Sequence, residues 1–155
     1  MNTMTTDRAG ARHEYELRDE QGRPQAWLRT DWRMRSGEIR TAAGSWQVRR
    51  HRRVVEVGDP GRPLIRLGST GPAAPGAGQD PCWVTSWRPS GYRGWLTLGQ
   101  ASIELQLAPL GHHCVAQVTG EWPERDLLVL AAQLDLMARR RRRLAAIAAA
   151  TGGTH

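Results

Sequence analysis

From Leu127 to Ala138 every residue is leucine, valine, alanine or methionine except Gln133 and Asp135. Wound at helical pitch, this stretch leaves no polar face, and a helix apolar all round is buried on every side or lies in a membrane. At ~1.5 Å per residue it spans roughly 20 Å, well short of the ~20 apolar residues that a bilayer crossing needs. The pattern predicts a buried helix.

Upstream the pattern changes to short runs that alternate apolar and polar residues, the signature of half-buried strands. Tyr15, Leu17 and then Ala26, Leu28 alternate on either side of a turn cluster at 19–24, which predicts a hairpin. A related unit recurs at 54–57 and 64–67, around a second Gly-Arg-Pro (22–24 and 61–63). In each copy, Gly permits a positive φ in the turn and Pro opens the returning strand, where a missing N–H does least harm. Further strand candidates are 32–35, 38–41, 45–49, 82–87, 92–98, 101–107 and 114–118. About ten short strands therefore precede the helix. Residues 1–12 are polar and small and predict a disordered tail. Residues 69–81 are too rich in Gly and Pro for regular structure and predict a long loop. That loop is expected within a single domain, because the first half contains no helix to cover its strands.

The helix begins well. Pro123 suits a first turn, and Glu124 and Asp126 complement the positive end of the helix dipole. Helical periodicity continues through the arginines and Leu144 to Ala150, with Gly152 and Gly153 as a stop. The expected organisation is a tail at 1–12, one domain at 13–150 with its helix at about 123–150, and a flexible tail at 151–155.

Composition changes this picture in one respect. The net charge is +7, all 22 basic side chains are arginine, and both lysine and phenylalanine are absent. With much Ala and Gly and a single Asn, the skew reads as codon bias in a GC-rich genome. Five arginines are consecutive, Arg139, Arg140, Arg141, Arg142 and Arg143, and the remaining 17 face 15 acids. A nearly neutral domain thus carries one intense basic spot, which suits anionic partners. A second run, Arg49, Arg50, His51, Arg52 and Arg53, falls between two strands. These arginines are the candidate anion-binding residues, for lipid or for nucleic acid. The run at 139–143 has a structural reading too: charge around a full helical turn resists burial and marks where the helix leaves the sheet.

Candidate chemistry is sparse. Cys82 with His112, His113 and Cys114 is the one metal-like set, yet neighbours on a strand point to opposite faces and no Cys-x-x-Cys occurs, so no metal site is expected. No signature surrounds either cysteine as a nucleophile, and no phosphate-cradling Gly-rich loop opens a helix. No catalytic residue and no cofactor is assigned, and a non-enzymatic protein is expected. Asp135 stands out, because a buried carboxylate costs several kcal/mol unless paired. Arg139, four residues on, or an arginine from the wall would serve as its partner. Seven tryptophans (27, 32, 46, 83, 87, 95 and 122) could stack on bases. Without phenylalanine, however, they are expected to supply bulky core or rim residues. No apolar targeting segment follows the N-terminus, so a cytoplasmic protein is expected, peripheral at the membrane where the arginines dock.

Many short strands, Asp-x-x-Gly-x-Pro turns, and a terminal apolar helix entered through Pro123-Glu124-Arg125-Asp126-Leu127-Leu128 resemble the tubby C-terminal-like group. That group includes LURP-one-related proteins and phospholipid scramblases, and the chain looks like a bacterial member of it. The strand at 114–118, followed by Asp126 and the apolar helix, sits where the group has its last strand, acidic residue and central helix. The resemblance implies a closed antiparallel β-barrel of about twelve strands threaded by the C-terminal helix. It also implies a link to lipids, since tubby domains bind phosphoinositides and scramblases are tied to lipid and calcium. No head-group residues carry over, because no motif matches position by position. The fold class is therefore mainly β with one long C-terminal helix: an antiparallel barrel of about 10–12 short strands around a central hydrophobic helix. The expected role is binding or scaffolding at anionic lipid surfaces through the arginine cluster, with nucleic-acid binding by the same arginines as the alternative.

Overall fold

The computed structural model describes residues 1–10, 12–68 and 81–152 of the 155-residue chain. The expected loop at 69–81, apart from Pro81, and the last three residues of the expected C-terminal tail lie outside the described residues. The first half supplies β1 (Asn2–Arg8), β2 (Glu14–Arg18), β3 (Pro24–Thr30), β4 (Ser36–Thr41), β5 (Gly44–His51), β6 (Val54–Asp59) and β7 (Arg62–Gly68). The second half supplies β8 (Cys82–Arg88), β9 (Gly91–Leu98), β10 (Ala101–Leu107), β11 (Cys114–Thr119) and α1 (Arg125–Gly152). The strands form one 11-stranded sheet in the order β7-β6-β5-β4-β3-β2-β1-β11-β10-β9-β8. Every paired neighbour is antiparallel. The edge strands β7 and β8 come alongside one another, so the sheet curls into a nearly closed barrel.

The alternation seen in sequence is the alternation of the barrel wall. Leu17, Leu28, Ile39, Val48, Val55, Val57, Leu67, Leu96, Ile103 and Leu105 are fully buried and meet α1 inside. Residues 127–138 are all buried, each Leu or Val contributing about 1.5–3 kcal/mol relative to exposure. Trp83 also turns inward, and its ring fills the space that a Cβ on Gly94 of the neighbouring strand would occupy. Beyond Arg141 the helix is exposed as far as Gly152.

Three expectations change. Residues 2–8 are not a tail. As β1 they pair with both β2 and β11, joining the β2–β7 meander to β8–β11. Met4 and Thr6 are the inward positions, each 1% exposed. Thr is strand-prone, but a buried threonine does not register as apolar in an alternation. Residues 32–35 form a turn, not a strand. Asp31 Oδ1 accepts the backbone N–H groups of Arg35 (2.8 Å) and Ser36 (3.2 Å), and Met34 has φ 56°. A short Asp side chain that captures backbone donors two to five residues on is a turn-former. The tryptophans, expected at core or rim, divide between them and the wall: Trp83 and Trp122 are buried, Trp32 and Trp87 are exposed at the rim where the helix leaves, and Trp27, Trp46 and Trp95 lie half-buried on strands. The Gly-Arg-Pro copies do sit in equivalent hairpins, β2–β3 and β6–β7, each with a bulge beside the turn.

Alternating strand directions sort the turns to two ends. The helix leaves at the end that holds the turns at 9–13, 31–35, 52–53, 89–90 and 108–113. Arg8, Arg12, Arg33, Arg35, Arg52, Arg53 and Arg88 therefore lie with residues 139–143, against Asp7, Glu14, Asp31 and the buried Asp135. At the opposite end, among the described residues, Asp19, Glu20, Asp59, Glu121, Glu124 and Asp126 outnumber Arg18, Arg23, Arg62 and Arg125. The barrel is polarised, basic where the helix exits and acidic where it starts.

Candidate anion-docking face

The arginines of the two predicted runs divide into two sets. Asp135, 1% exposed, sits where the helix approaches the rim. Its Oδ2 accepts from Arg139 Nε (2.7 Å) and Trp83 Nε1 (2.8 Å), and its Oδ1 from Arg50 Nε (2.9 Å). Both expected kinds of partner are thus present, the i+4 arginine and one from the wall. Arg50 points inward from β5, its side chain 14% exposed, and is spent on this contact. Arg50 and Arg139 are accordingly structural, fastening β5 to the helix, and β8 joins through Trp83. Arg140, half-buried, donates from Nη1 to the Ala108 carbonyl (2.9 Å).

The second set faces outward. Arg141 donates from Nη1 to the Trp32 carbonyl (2.6 Å), and its guanidinium lies 4.8 Å from the Trp32 ring centre, with that of Arg33 at 4.7 Å. Arg143 stacks over Trp87 at 3.3 Å. Arg142, Arg52 and Arg53 are exposed. Arg49 points to the outer face of the sheet, where its Nη2 lies 3.7 Å from Glu56. Apolar side chains stand among these charges: Trp32 (57% exposed), Trp87, Leu110 (74%), Leu144 and Ile147. Of all the large exposed hydrophobic side chains described, only Met1, Leu64 and Val84 lie elsewhere.

The cysteines and histidines do not converge. Cys82 opens β8 at the helix-start end, whereas Cys114 opens β11 at the other and points inward. Burial, partly opposed by the Arg140 charge, pushes the Cys114 thiol up to about 12, leaving it protonated and unreactive at neutral pH. His113 Nδ1 pairs with Asp7 Oδ1 at 2.9 Å. Burial first, then the charges of Arg8, Arg140 and His13, holds the His112 imidazole below its ordinary value. Among the described residues, no three His, Cys, Asp or Glu side chains are placed to hold a metal ion.

The larger cavity, about 890 Å³, lies at the acidic end among Trp46, Glu121, Trp122, Glu124 and Asp126. None of the buried polar atoms left unpartnered among the described residues lines it. A smaller cleft of about 280 Å³ on the outside of β5–β7 is lined by Arg49, His51, Arg52, Val54, Glu56 and Arg66. Of these, Glu56 and Arg66 carried no functional signal in the sequence, because their role depends on cross-strand neighbours. Trp32 and Leu110 were equally silent as partners of the arginines. No helix among the described residues is long and apolar enough to cross a membrane. Compared with protein-family models, curated proteins and solved structures, the chain matches none of them.

Proposed function

We propose that this barrel is a non-enzymatic docking protein that binds anionic membrane surfaces through the end where its helix emerges. One observation carries the reading. Exposed arginines (52, 53, 142 and 143) and exposed apolar side chains (Trp32, Trp87, Leu110, Leu144 and Ile147) share one end of the molecule. An arginine near an anionic bilayer contributes about 1 kcal/mol, and tryptophan favours the head-group boundary. Leu110, at the tip of a loop, has no use for a purely electrostatic partner but can enter the acyl region. The Asp135 network gives the docking face a rigid base. Kinship with the tubby C-terminal-like group, including LURP-one-related and scramblase-like proteins, belongs to the same proposal, supported by the helix inside the barrel.

Nucleic acid is the second reading, favoured by Trp32 and Trp87 standing beside arginines, where bases could stack. Sedimentation with vesicles separates the two. The protein is expected to pellet with phosphatidylserine-containing vesicles, to stay in solution with phosphatidylcholine alone, and to be released as salt rises to about 0.5 M. Failure to pellet, together with salt-sensitive binding to a single-stranded oligonucleotide, would replace the first reading by the second.

A further inference from the structure

The outer cleft of β5–β7 has features that a solvated charge cluster does not need. Cross-strand register places Arg49 opposite Glu56 and Glu56 opposite Arg66, so one carboxylate sits between two guanidinium groups. Both separations are 3.7 Å, beyond hydrogen-bond length, so neither arginine spends its donors on Glu56. Arg49 Nε is shut off from solvent and has no acceptor among the described residues. A shielded, unmet N–H on a cation is costly, and an anion supplies what it lacks. Arg52 and His51 close the cleft on the rim side, leaving three arginines against one carboxylate in a space of about 280 Å³.

We propose that this cleft binds a phosphate monoester or inorganic phosphate, with Glu56 selecting an anion that still carries a proton. Arg49, Arg66 and Arg52 donate to the phosphoryl oxygens. Glu56 accepts a hydrogen bond from the P–OH of the monoanion, which phosphate retains in quantity near its second pKa, about 6 for a monoester and higher for inorganic phosphate. Sulfate has no such proton near neutral pH and meets only repulsion from the carboxylate. The assignment rests on the anion-docking reading and extends it from the rim to the barrel wall, with a chemistry that a diffuse charge would not have.

The test is calorimetric titration of the full chain at pH 6.5 with sodium phosphate and sodium sulfate. Phosphate is expected to bind about tenfold or more tightly than sulfate. Glu56→Gln should bring the two within about twofold of each other, and Arg49→Gln with Arg66→Gln should weaken phosphate at least about tenfold. Circular dichroism establishes that each variant is folded. Equal affinity for the two anions in both the parent and Glu56→Gln, or no phosphate binding at all, would overturn the assignment. Vesicles identify the source. Tighter binding to phosphatidic acid than to phosphatidylglycerol at matched surface charge indicates a lipid head group, whereas equal binding alongside phosphate selectivity in solution indicates a free phosphate. Selective phosphate binding without any vesicle pelleting would uphold the cleft and remove membrane docking. Pelleting without phosphate selectivity would do the reverse.

Discussion

Asp135→Asn is expected to lower the unfolding free energy by about 3–5 kcal/mol, the usual cost of removing one member of a buried ion pair. The carboxylate is 1% exposed and receives three donors from three elements, Arg50 of β5, Trp83 of β8 and Arg139 of the helix itself. Asparagine keeps the shape but leaves Arg50 facing the interior without a counter-charge. For a chain of this size the melting temperature should fall by roughly 6–20 °C, at about 2–4 °C per kcal/mol. Removing charge from all three members, in Arg50→Met with Asp135→Leu and Arg139→Met, is expected to recover much of the loss, because apolar replacements of a buried pair or triad are often neutral. Urea denaturation of the three proteins measures this. An Asp135→Asn variant within about 1 kcal/mol of the parent would mean that the network does not fasten the helix to the wall.

The second large effect is on binding. Changing Arg53, Arg142 and Arg143 together to glutamine removes three exposed charges and leaves the Asp135 network untouched. At about 1 kcal/mol each, affinity for phosphatidylserine-containing vesicles should fall by about 100-fold. Stability should change little: the triple variant gives up the stack of Arg143 on Trp87, which is worth about 0.5–1 kcal/mol at an exposed site. Arg139 and Arg50 are deliberately excluded from the set, because their loss would act through folding. Unchanged vesicle affinity would show that the exposed arginines do not dock the protein.

The central helix was legible because residues 127–138 have no polar face, and a sheet was the one partner the rest of the chain could supply. Most strands were legible because one wall face is buried and the other wet, the arrangement that alternation encodes. The first strand was not, since Met4 is its one strongly apolar inward residue and Thr6 does not look buried. The stretch 32–35 misled in the opposite direction. Trp32 favours a strand by type, but Asp31 captures two backbone donors and folds the chain back. The absence of phenylalanine suggested tryptophans in the core or at the rim. Leu, Ile and Val fill most of the interior beside Trp83 and Trp122, Trp32 and Trp87 stand at the rim, and Trp27, Trp46 and Trp95 lie half-buried.

The arginine-rich end was half-legible. The arginine runs were plain in the sequence, but not that Arg50 and Arg139 are turned inward while Arg33, Arg88 and Trp32 join that end. A run of charge gives no direction. Only the parity of the turns, fixed once strand order and direction are known, gathers basic residues from distant segments at one end.

That end can be tested for contact with lipid directly. An environment-sensitive fluorophore is attached to Leu110→Cys at the helix-exit end, or to Gln100→Cys at the opposite end, each in a Cys82→Ser background, since Cys82 is the exposed native thiol. On phosphatidylserine-containing vesicles, the label at 110 should shift to the blue and become quenchable by brominated acyl chains, while the label at 100 stays in water. A shift at 100 with none at 110 would turn the molecule over, and a shift at neither would contradict docking through the exposed arginines.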